Sequence, residues 1–248
     1  MSYFYYQSKK IYYSETGNGK PVLFLHGNTA SSRMFEPLLP LYEDTYHIIL
    51  IDFLGHGNSD RLEEFPPELW MEEAEQTIAL LEHLKLDRVN LVGTSGGAWV
   101  AVNAALKRPD LVGRVVADSF DGRTLAGDFS ANLIKERANA KKDAMAVEYY
   151  RWCQGEDWER IVDMDTRALT QCAEKKLPLF SKPLTSLQVP LLLMGSEGDE
   201  MTREDLQAEY CVIAGETGAE ICVFPEGGHP AIYSNAEQAA ITIRRFLE

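Results

Sequence analysis

The chain has 248 residues, of which 45% are hydrophobic and 25% are charged, and this balance is typical of a folded globular protein rather than a disordered one. Its 24 Lys and Arg residues against 38 Asp and Glu residues give a net charge of -14. Nucleic acids and anionic membranes bind basic surfaces, so the acidic balance excludes both as expected partners and favours a small-molecule substrate.

The sequence shows no pattern that directs a chain to a membrane or holds a metal. No apolar run approaches the roughly 18 residues of a membrane-spanning helix, and the N-terminal sequence MSYFYYQSKK lacks the apolar stretch of a signal peptide. We therefore expect a cytoplasmic protein without a membrane partner. The cysteines have no C-x-x-C spacing and no His/Cys metal pattern, so we expect no metal, no cofactor and reduced thiols at Cys153, Cys172, Cys211 and Cys222.

Short apolar runs that suit strands recur along the chain. Two aromatic runs at 3–6 and 11–13 come first, and a Gly-Asn-Gly turn follows them at 17–19. The continuous apolar runs of buried parallel strands then occupy 22–25, 48–51, 89–92, 115–117, 189–194 and 221–224. Helical patterns separate them at 67–84, at 97–106 and after the capping-box sequence at 234–237. This alternation predicts an α/β fold with an open, mostly parallel sheet.

One segment interrupts the alternation of strands and helices. Residues 121–187 contain no strand-like run and read as two or three helices. We predict a helical lid (cap) at 121–187, inserted in a core made of residues 1–120 and 188–248. Aromatic side chains of this lid are candidate walls of a substrate pocket, although they could instead pack the lid against the core; they are Tyr149, Tyr150, Trp152 and Trp158.

The strongest chemical motif is the sequence Gly-Thr-Ser-Gly-Gly at 93–97, which matches G-x-S-x-G. A predicted strand enters this motif and an apolar helix leaves it, which is the setting of a nucleophile elbow centred on Ser95. Glycines suit such a turn because side chains beside the serine would clash with the neighbouring strand and helix. The alternative is a phosphate-binding loop or a plain tight turn, but neither a P-loop lysine nor G-x-G-x-x-G accompanies the motif.

Two other glycine-containing loops follow predicted strands. The first carries His26 and Asn28, and we expect His26 to be structural because it directly ends a buried strand. The backbone N–H groups of Asn28 and Gly96 could together hold a developing oxyanion, at roughly 3 kcal/mol for each donor. The second loop carries His56, which we also interpret as part of a tightly turned loop rather than as a catalytic group.

A serine nucleophile needs a base, and the base needs a carboxylate that fixes its tautomer. Asp199 and His229 each follow a predicted strand, as Ser95 does, and open α/β sheets place their sites at these strand ends. The chain order Ser, Asp, His is also the order that this architecture uses. Other carboxylates remain alternatives for the acid; they are Glu197, Glu200, Asp118 and Asp121.

Together, the loop sequences resemble the α/β-hydrolase fold family over essentially the whole chain; the matching sequences are HGN, GHGNSD, GTSGG, GSEGD and GGH. The resemblance implies an eight-stranded, mostly parallel sheet flanked by helices, with Ser95 as nucleophile, His229 as general base and acid, and Asp199 as its orienting carboxylate. It also implies an oxyanion hole from the Asn28 and Gly96 amides. The family's acid loop more usually reads G-x-x-D, which keeps Glu197 open. A serine at the elbow argues against the dehalogenase and epoxide-hydrolase branches.

We therefore expect a serine hydrolase that cleaves a small, mostly uncharged ester through an acyl-enzyme on Ser95. The alternatives are an amide or C–C bond hydrolase with the same triad, or a non-catalytic ligand-binding protein. Residues 121–187 hold 11 basic and 11 acidic residues, so the whole net charge of -14 lies in the core. Acidic runs at 60–75 and 197–209 predict a negative cleft rim that repels anionic substrates.

Overall fold

The computed structural model describes residues 2–248, which form one eight-stranded sheet in the order β1-β2-β4-β3-β5-β6-β7-β8. The strand β2 runs antiparallel to both β1 and β4, and the remaining neighbours pair in parallel. The strands are β1 Ser2–Tyr6, β2 Lys9–Thr16, β3 Lys20–Leu25, β4 Tyr46–Asp52, β5 Val89–Thr94, β6 Val112–Asp118, β7 Leu191–Ser196 and β8 Glu220–Phe224. The predicted eight-stranded, mostly parallel sheet is confirmed.

Helices cover both faces of this sheet. They are α1 Leu69–Leu84, α2 Gly96–Lys107, α3 Phe129–Ala140, α4 Ala144–Gln154, α5 Trp158–Glu174, α6 Leu206–Thr217, α7 Ala231–Ser234 and α8 Ala236–Leu247. Every residue of α2 from 96 to 106 is buried, as expected for a helix whose sequence is apolar nearly all round. None of the helices among the described residues is long and apolar enough to cross a membrane.

The alternation of side chains along the strands divides the core into two layers. On β3, Leu23 and Leu25 pack into the layer that includes α1 and α2, whereas Val22 and Phe24 pack into the layer that includes α8. Each central strand therefore carries apolar side chains towards both layers, which is why its middle reads as a continuous apolar run in the sequence.

One strand boundary, one helix and one predicted cap differ from the sequence prediction. Strand β7 begins at Leu191 rather than at residue 189, because Pro190 carries no N–H for the ladder. Helix α6 was not predicted. The capping box at 234–237 does not form: Asn235 precedes α8 without a side-chain cap, and the Ser234 hydroxyl donates to the Gly228 carbonyl instead, at 2.8 Å.

Helices α3, α4 and α5 lie between β6 and β7 in the chain, within the segment 121–187 that was predicted to be helical. They contact one another, and α4 also contacts the 3-10 helical segment Ser32–Leu41 of the core. The function of this segment as a lid, and the division of the chain into 1–120 with 188–248 and 121–187, remain predictions.

Candidate active site

Ser95 lies in the sharp turn between β5 and α2. Its backbone has φ +54° and ψ -123°, a region that residues other than glycine adopt only when the surroundings enforce it. The Ser95 N–H donates to the Asp118 carbonyl at 2.7 Å, and the Ala98 N–H donates to the Ser95 carbonyl at 2.9 Å. A Cβ at Gly93 or Gly97 would overlap neighbouring backbone carbonyls, so the flanking glycines are required by the close contact of strand and helix.

Asp199 and His229 meet at the ends of β7 and β8. The His229 Nδ1 atom lies 3.0 Å from Oδ2 and 3.1 Å from Oδ1 of Asp199, whose side chain is fully buried. An Nδ1–H that donates to this carboxylate leaves Nε2 as the free, basic ring nitrogen. Burial acts to lower the pKa of His229, but the hydrogen bond to Asp199 and its negative charge outweigh burial, so the pKa is raised above its usual value.

The acids that compete with Asp199 occupy different places. Glu197 is exposed and forms no hydrogen bond or ion pair with His229 among the described residues, and Glu200 is exposed and lines the cavity described below. Asp121 accepts a hydrogen bond from the Arg203 N–H at 2.8 Å. Of these carboxylates, only Asp199 hydrogen-bonds to His229 within the described part of the chain.

Asp118 is a buried carboxylate beneath the site. It accepts hydrogen bonds from the Thr94 hydroxyl at 3.2 Å and from the Ile232 N–H at 3.3 Å, so it joins β5 to the helix that follows His229. Burial raises the pKa of Asp118 to about 7, against the opposing effect of His229. These contacts describe a scaffold group that connects the serine turn and the histidine loop.

Ser95 and His229 both line a cavity of about 730 Å³, which is the size of a small-ligand site. The described residues include no hydrogen bond between the Ser95 hydroxyl and His229, and catalytic hydrogen bonds of this kind often shorten only around a bound substrate. Aromatic side chains from the core and from the start of α3 line part of the wall; they are Trp70, Trp99, Phe120 and Phe129.

The four aromatic residues predicted as pocket walls lie elsewhere. Tyr150 and Trp158 stack on each other with centroids 5.5 Å apart and pack against Val162 inside the helical segment. Tyr149 is about one-third exposed, and the Trp152 carbonyl accepts a hydrogen bond from Arg33 at 2.8 Å. None of the four lines the cavity, because their helices bury them in an internal cluster or turn them towards other loops.

The aromatic residues that do line the cavity are not among the pocket walls predicted from the sequence. Trp99 is four residues after Ser95, so the first turn of α2 brings its side chain back to the site. Trp70 belongs to the apolar face of α1 and stacks on Trp99 at 4.2 Å between centroids. A search for aromatic residues one helical turn beyond the elbow would have found the first of them.

Asn28 and Gly96, the predicted oxyanion donors, are neighbours. A Cβ on Gly96 would overlap the Asn28 side-chain amide, and a Cβ on Gly27 would lie 2.9 Å from that of Ser95. Gly96 is the first residue of α2, so its N–H has no acceptor within the helix. Backbone amides in this position can receive hydrogen bonds from an oxygen that gains negative charge at the serine.

His26 and His56 are buried and do not line the cavity. The His26 Nε2 atom accepts a hydrogen bond from the Phe53 N–H at 3.2 Å, and its Nδ1 lies 2.9 Å from the Gly27 carbonyl. His56 is buried and stacks on Phe65. His26 therefore connects the two glycine-containing loops that were identified in the sequence.

The charged side chains around the cavity are mostly acidic. Its arginines, Arg137 and Arg203, are both matched by carboxylates, at 3.6 Å from Asp165 and 2.6 Å from Asp205 respectively. The acidic lining residues are Asp121, Asp128, Glu136, Glu200, Glu204 and Asp205. The surroundings therefore disfavour an anion near the cavity mouth.

The sheet and the position of Ser95 after β5 define the class of the protein: it is an alpha/beta hydrolase. The chain belongs to the alpha/beta hydrolase family, whose profile matches residues 22–241. The family resemblance seen in the loop sequences is thereby confirmed.

Two curated relatives are similar to part of the sequence. The chain is 38% identical over 141 residues to 2-(acetamidomethylene)succinate hydrolase of Mesorhizobium japonicum, covering 55% of this chain and 49% of that protein. It is 28% identical over 159 residues to (E)-2-((N-methylformamido)methylene)succinate hydrolase of Acinetobacter baylyi, covering 62% of this chain and 58% of that protein. The matched part therefore spans about half the length of these curated relatives.

A solved structure extends the similarity to nearly the whole fold. The crystal structure of E-2-(acetamidomethylene)succinate hydrolase superposes with a TM-score of 0.75 and 26% sequence identity, covering 97% of this chain and 96% of that one. The enol-lactonase of Burkholderia xenovorans LB400 superposes with a TM-score of 0.76 at 18% identity, covering 99% of each chain, and shares the fold.

Proposed function

We propose that this alpha/beta hydrolase cleaves a small, mostly uncharged ester through an acyl-enzyme on Ser95. The observation that carries the proposal is the hydrogen-bonded pair of His229 and Asp199, which borders the same cavity as the strained Ser95 turn. A binding protein would not need a nucleophile, a base and a buried carboxylate at three separate strand ends.

The proposed reaction has two halves. His229 Nε2 removes the proton of the Ser95 hydroxyl, Oγ attacks the acyl carbon, and the carbonyl oxygen takes the negative charge. The amides of Asn28 and Gly96 donate to that oxygen, while His229 gives its proton to the departing alcohol. A water that His229 deprotonates then attacks the acyl-enzyme, and Ser95 regains its proton as the acid leaves. Asp199 stays ionised and stabilises the imidazolium in both halves.

The form and charge of the cavity support a small neutral substrate. Its volume of about 730 Å³ suits a compact molecule, and the stacked pair of Trp70 and Trp99 offers an apolar wall. Both lining arginines face carboxylates of the protein, so neither is an uncommitted partner for a substrate carboxylate.

A second candidate is the hydrolysis of an amide-bearing dicarboxylate. It is favoured by the similarity to E-2-(acetamidomethylene)succinate hydrolase across 97% of this chain. The same triad can attack an amide carbonyl, since His229 would protonate the departing nitrogen. Arg137 or Arg203 would then have to exchange its protein carboxylate for that of the substrate.

The test compares labelling with turnover. A fluorophosphonate probe should label the wild type at Ser95 and leave Ser95→Ala unlabelled, and p-nitrophenyl acetate turnover should follow the same pattern. A wild type that neither labels nor turns over generic esters would overturn the proposal in favour of a binding role.

The substrate charge is tested by a matched pair of esters. At low ionic strength p-nitrophenyl acetate should be turned over faster than the carboxylated p-nitrophenyl hemisuccinate, and added salt should narrow the gap. The second candidate would be favoured if p-nitrophenyl hemisuccinate were turned over as fast as p-nitrophenyl acetate at low salt and 2-(acetamidomethylene)succinate were also hydrolysed.

A further inference from the structure

Two hydrogen bonds and one ion pair connect the three helices of the segment 121–187 to the predicted oxyanion loop. The Asn28 side-chain N–H₂ donates to Oδ2 of Asp165 on α5 at 2.7 Å. The other side of Asp165 faces Arg137 on α3 at 3.6 Å, and Arg137 donates to the Tyr150 hydroxyl on α4 at 3.0 Å. Asp165, Arg137 and Tyr150 are all buried. Three helices thus converge on one side chain of the core.

Both ends of the Asn28 side-chain amide are fixed by this arrangement. Its oxygen accepts from the Trp70 indole N–H at 3.1 Å, and its nitrogen donates to Asp165. The same amide lies directly over Gly96, where a Cβ would overlap it. The orientation of the Asn28 side chain is therefore set from outside its own loop.

We propose that Asp165 is a positioning residue for the hydrolytic reaction: from the helical segment it holds Asn28 so that the Asn28 backbone N–H points at the oxyanion. This inference rests on the proposed function. A displacement of about 1 Å in such a donor can cost roughly 100-fold in rate, because the donor acts on charge that develops in the transition state. The contribution of Asp165 should therefore appear in kcat and in the binding of transition-state analogues, and less in KM.

The test measures kcat and KM for p-nitrophenyl acetate per fluorophosphonate-titrated site, so that unfolded protein does not count. Asp165→Ala should lower kcat by about 10- to 100-fold and leave KM within about threefold. It should also weaken a trifluoromethyl ketone inhibitor, which forms an oxyanion on serine, by a similar factor. Asp163→Asn is the matched control, because Asp163 lies on the same helix but is exposed and pairs with Lys141 at 2.6 Å.

A conservative variant separates positioning from a purely structural ion pair. Asp165→Asn keeps an acceptor for the Asn28 amide but removes the charge that faces Arg137. Positioning predicts that its kcat stays within about threefold of the wild type, whereas an ion-pair role predicts a loss like that of Asp165→Ala. An Asp165→Asn variant as impaired as Asp165→Ala would overturn the proposal.

A second variant keeps the proposal testable if Asp165→Ala does not fold. Asn28→Ala retains the backbone N–H but loses the side chain that Asp165 holds, so it should lower kcat by about the same factor as Asp165→Ala. A kcat within about twofold of the wild type in Asn28→Ala, or in a folded Asp165→Ala, would overturn it. A wild type that neither labels nor turns over the ester contradicts the proposed function instead.

Discussion

The two walls of the cavity are built differently. On the wall formed by the sheet, Ser95 and His229 each follow a strand and line the cavity, and Asp199, which hydrogen-bonds to His229, follows a third strand. On the wall formed by the helices, Leu133 and Leu169 reach the cavity as side chains of α3 and α5. The proposed chemistry therefore belongs to the sheet wall, and the helical wall encloses the space in front of it.

The same contrast holds for the buried aromatic residues. Trp70 and Trp99 of the sheet wall lie on the cavity, whereas Tyr150 and Trp158 of the helical segment pack on each other away from it. A change on the sheet wall should therefore alter catalysis or substrate binding. A change in the internal cluster of the helical segment should alter stability instead.

The largest expected effect comes from the base on the sheet wall. His229→Ala should lower kcat for a neutral ester by about 10⁴-fold or more, because it removes the proposed acceptor of the Ser95 proton. Adding Ser95→Ala should cause little further loss, since the two residues act as a unit. Steady-state kinetics of the two single variants and the double variant would check this. A double variant whose loss in kcat equals the product of the two single losses would contradict a shared reaction step.

The next effect distinguishes the acids of the sheet wall. Asp199→Ala should lower kcat by about 10³- to 10⁴-fold, because His229 loses the carboxylate that orients it. Glu197→Ala is the matched control two residues away; its side chain is exposed, and its kcat should stay within about twofold. Full activity in Asp199→Ala would move the acid to another carboxylate.

A smaller effect tests the helical segment. Trp158→Ala removes a buried ring that stacks on Tyr150, so it should lower the free energy of unfolding by about 3–5 kcal/mol. KM of the protein that remains folded should change little, because the ring does not line the cavity. Urea denaturation together with kinetics checks both parts. A large change in KM without a loss of stability would place Trp158 beside the substrate after all.

The two walls also differ in how far the sequence predicts them. Short strands and glycine-flanked turns are local features, so the positions of Ser95 and His229 at strand ends follow from apolar runs and from glycines alone. The orientation of aromatic residues on amphipathic helices depends on which neighbours they pack against. Those neighbours cannot be identified from the sequences of α4 and α5. That is why Tyr150 and Trp158 were predicted on the pocket while Trp99 was missed.

The contacts of Asp165 with Asn28 and Arg137 could not be predicted either, because they also depend on how the helices pack. Asp165 and Asn28 are 137 positions apart, and no local pattern connects a helix carboxylate to a loop amide over such a distance. In the sequence Asp165 is one of the 11 acidic residues that balance the charge of the segment 121–187. Only the packing of three helices shows that it is fully buried and hydrogen-bonded.

The smallest expected effect concerns Asp118, the scaffold carboxylate beneath the sheet wall. Burial raises the pKa of Asp118 from its usual value of 3.8 to about 7, so between these values the folded protein holds a proton that the unfolded chain has lost. A raised pKa contributes stability that is present at low pH and lost as the pH rises through the folded value. Compared with Asp118→Asn, the wild type should therefore lose about 2 kcal/mol of unfolding free energy between about pH 5 and about pH 7.5. Urea midpoints of both proteins over this range measure the difference, and parallel profiles would show that Asp118 is ionised throughout.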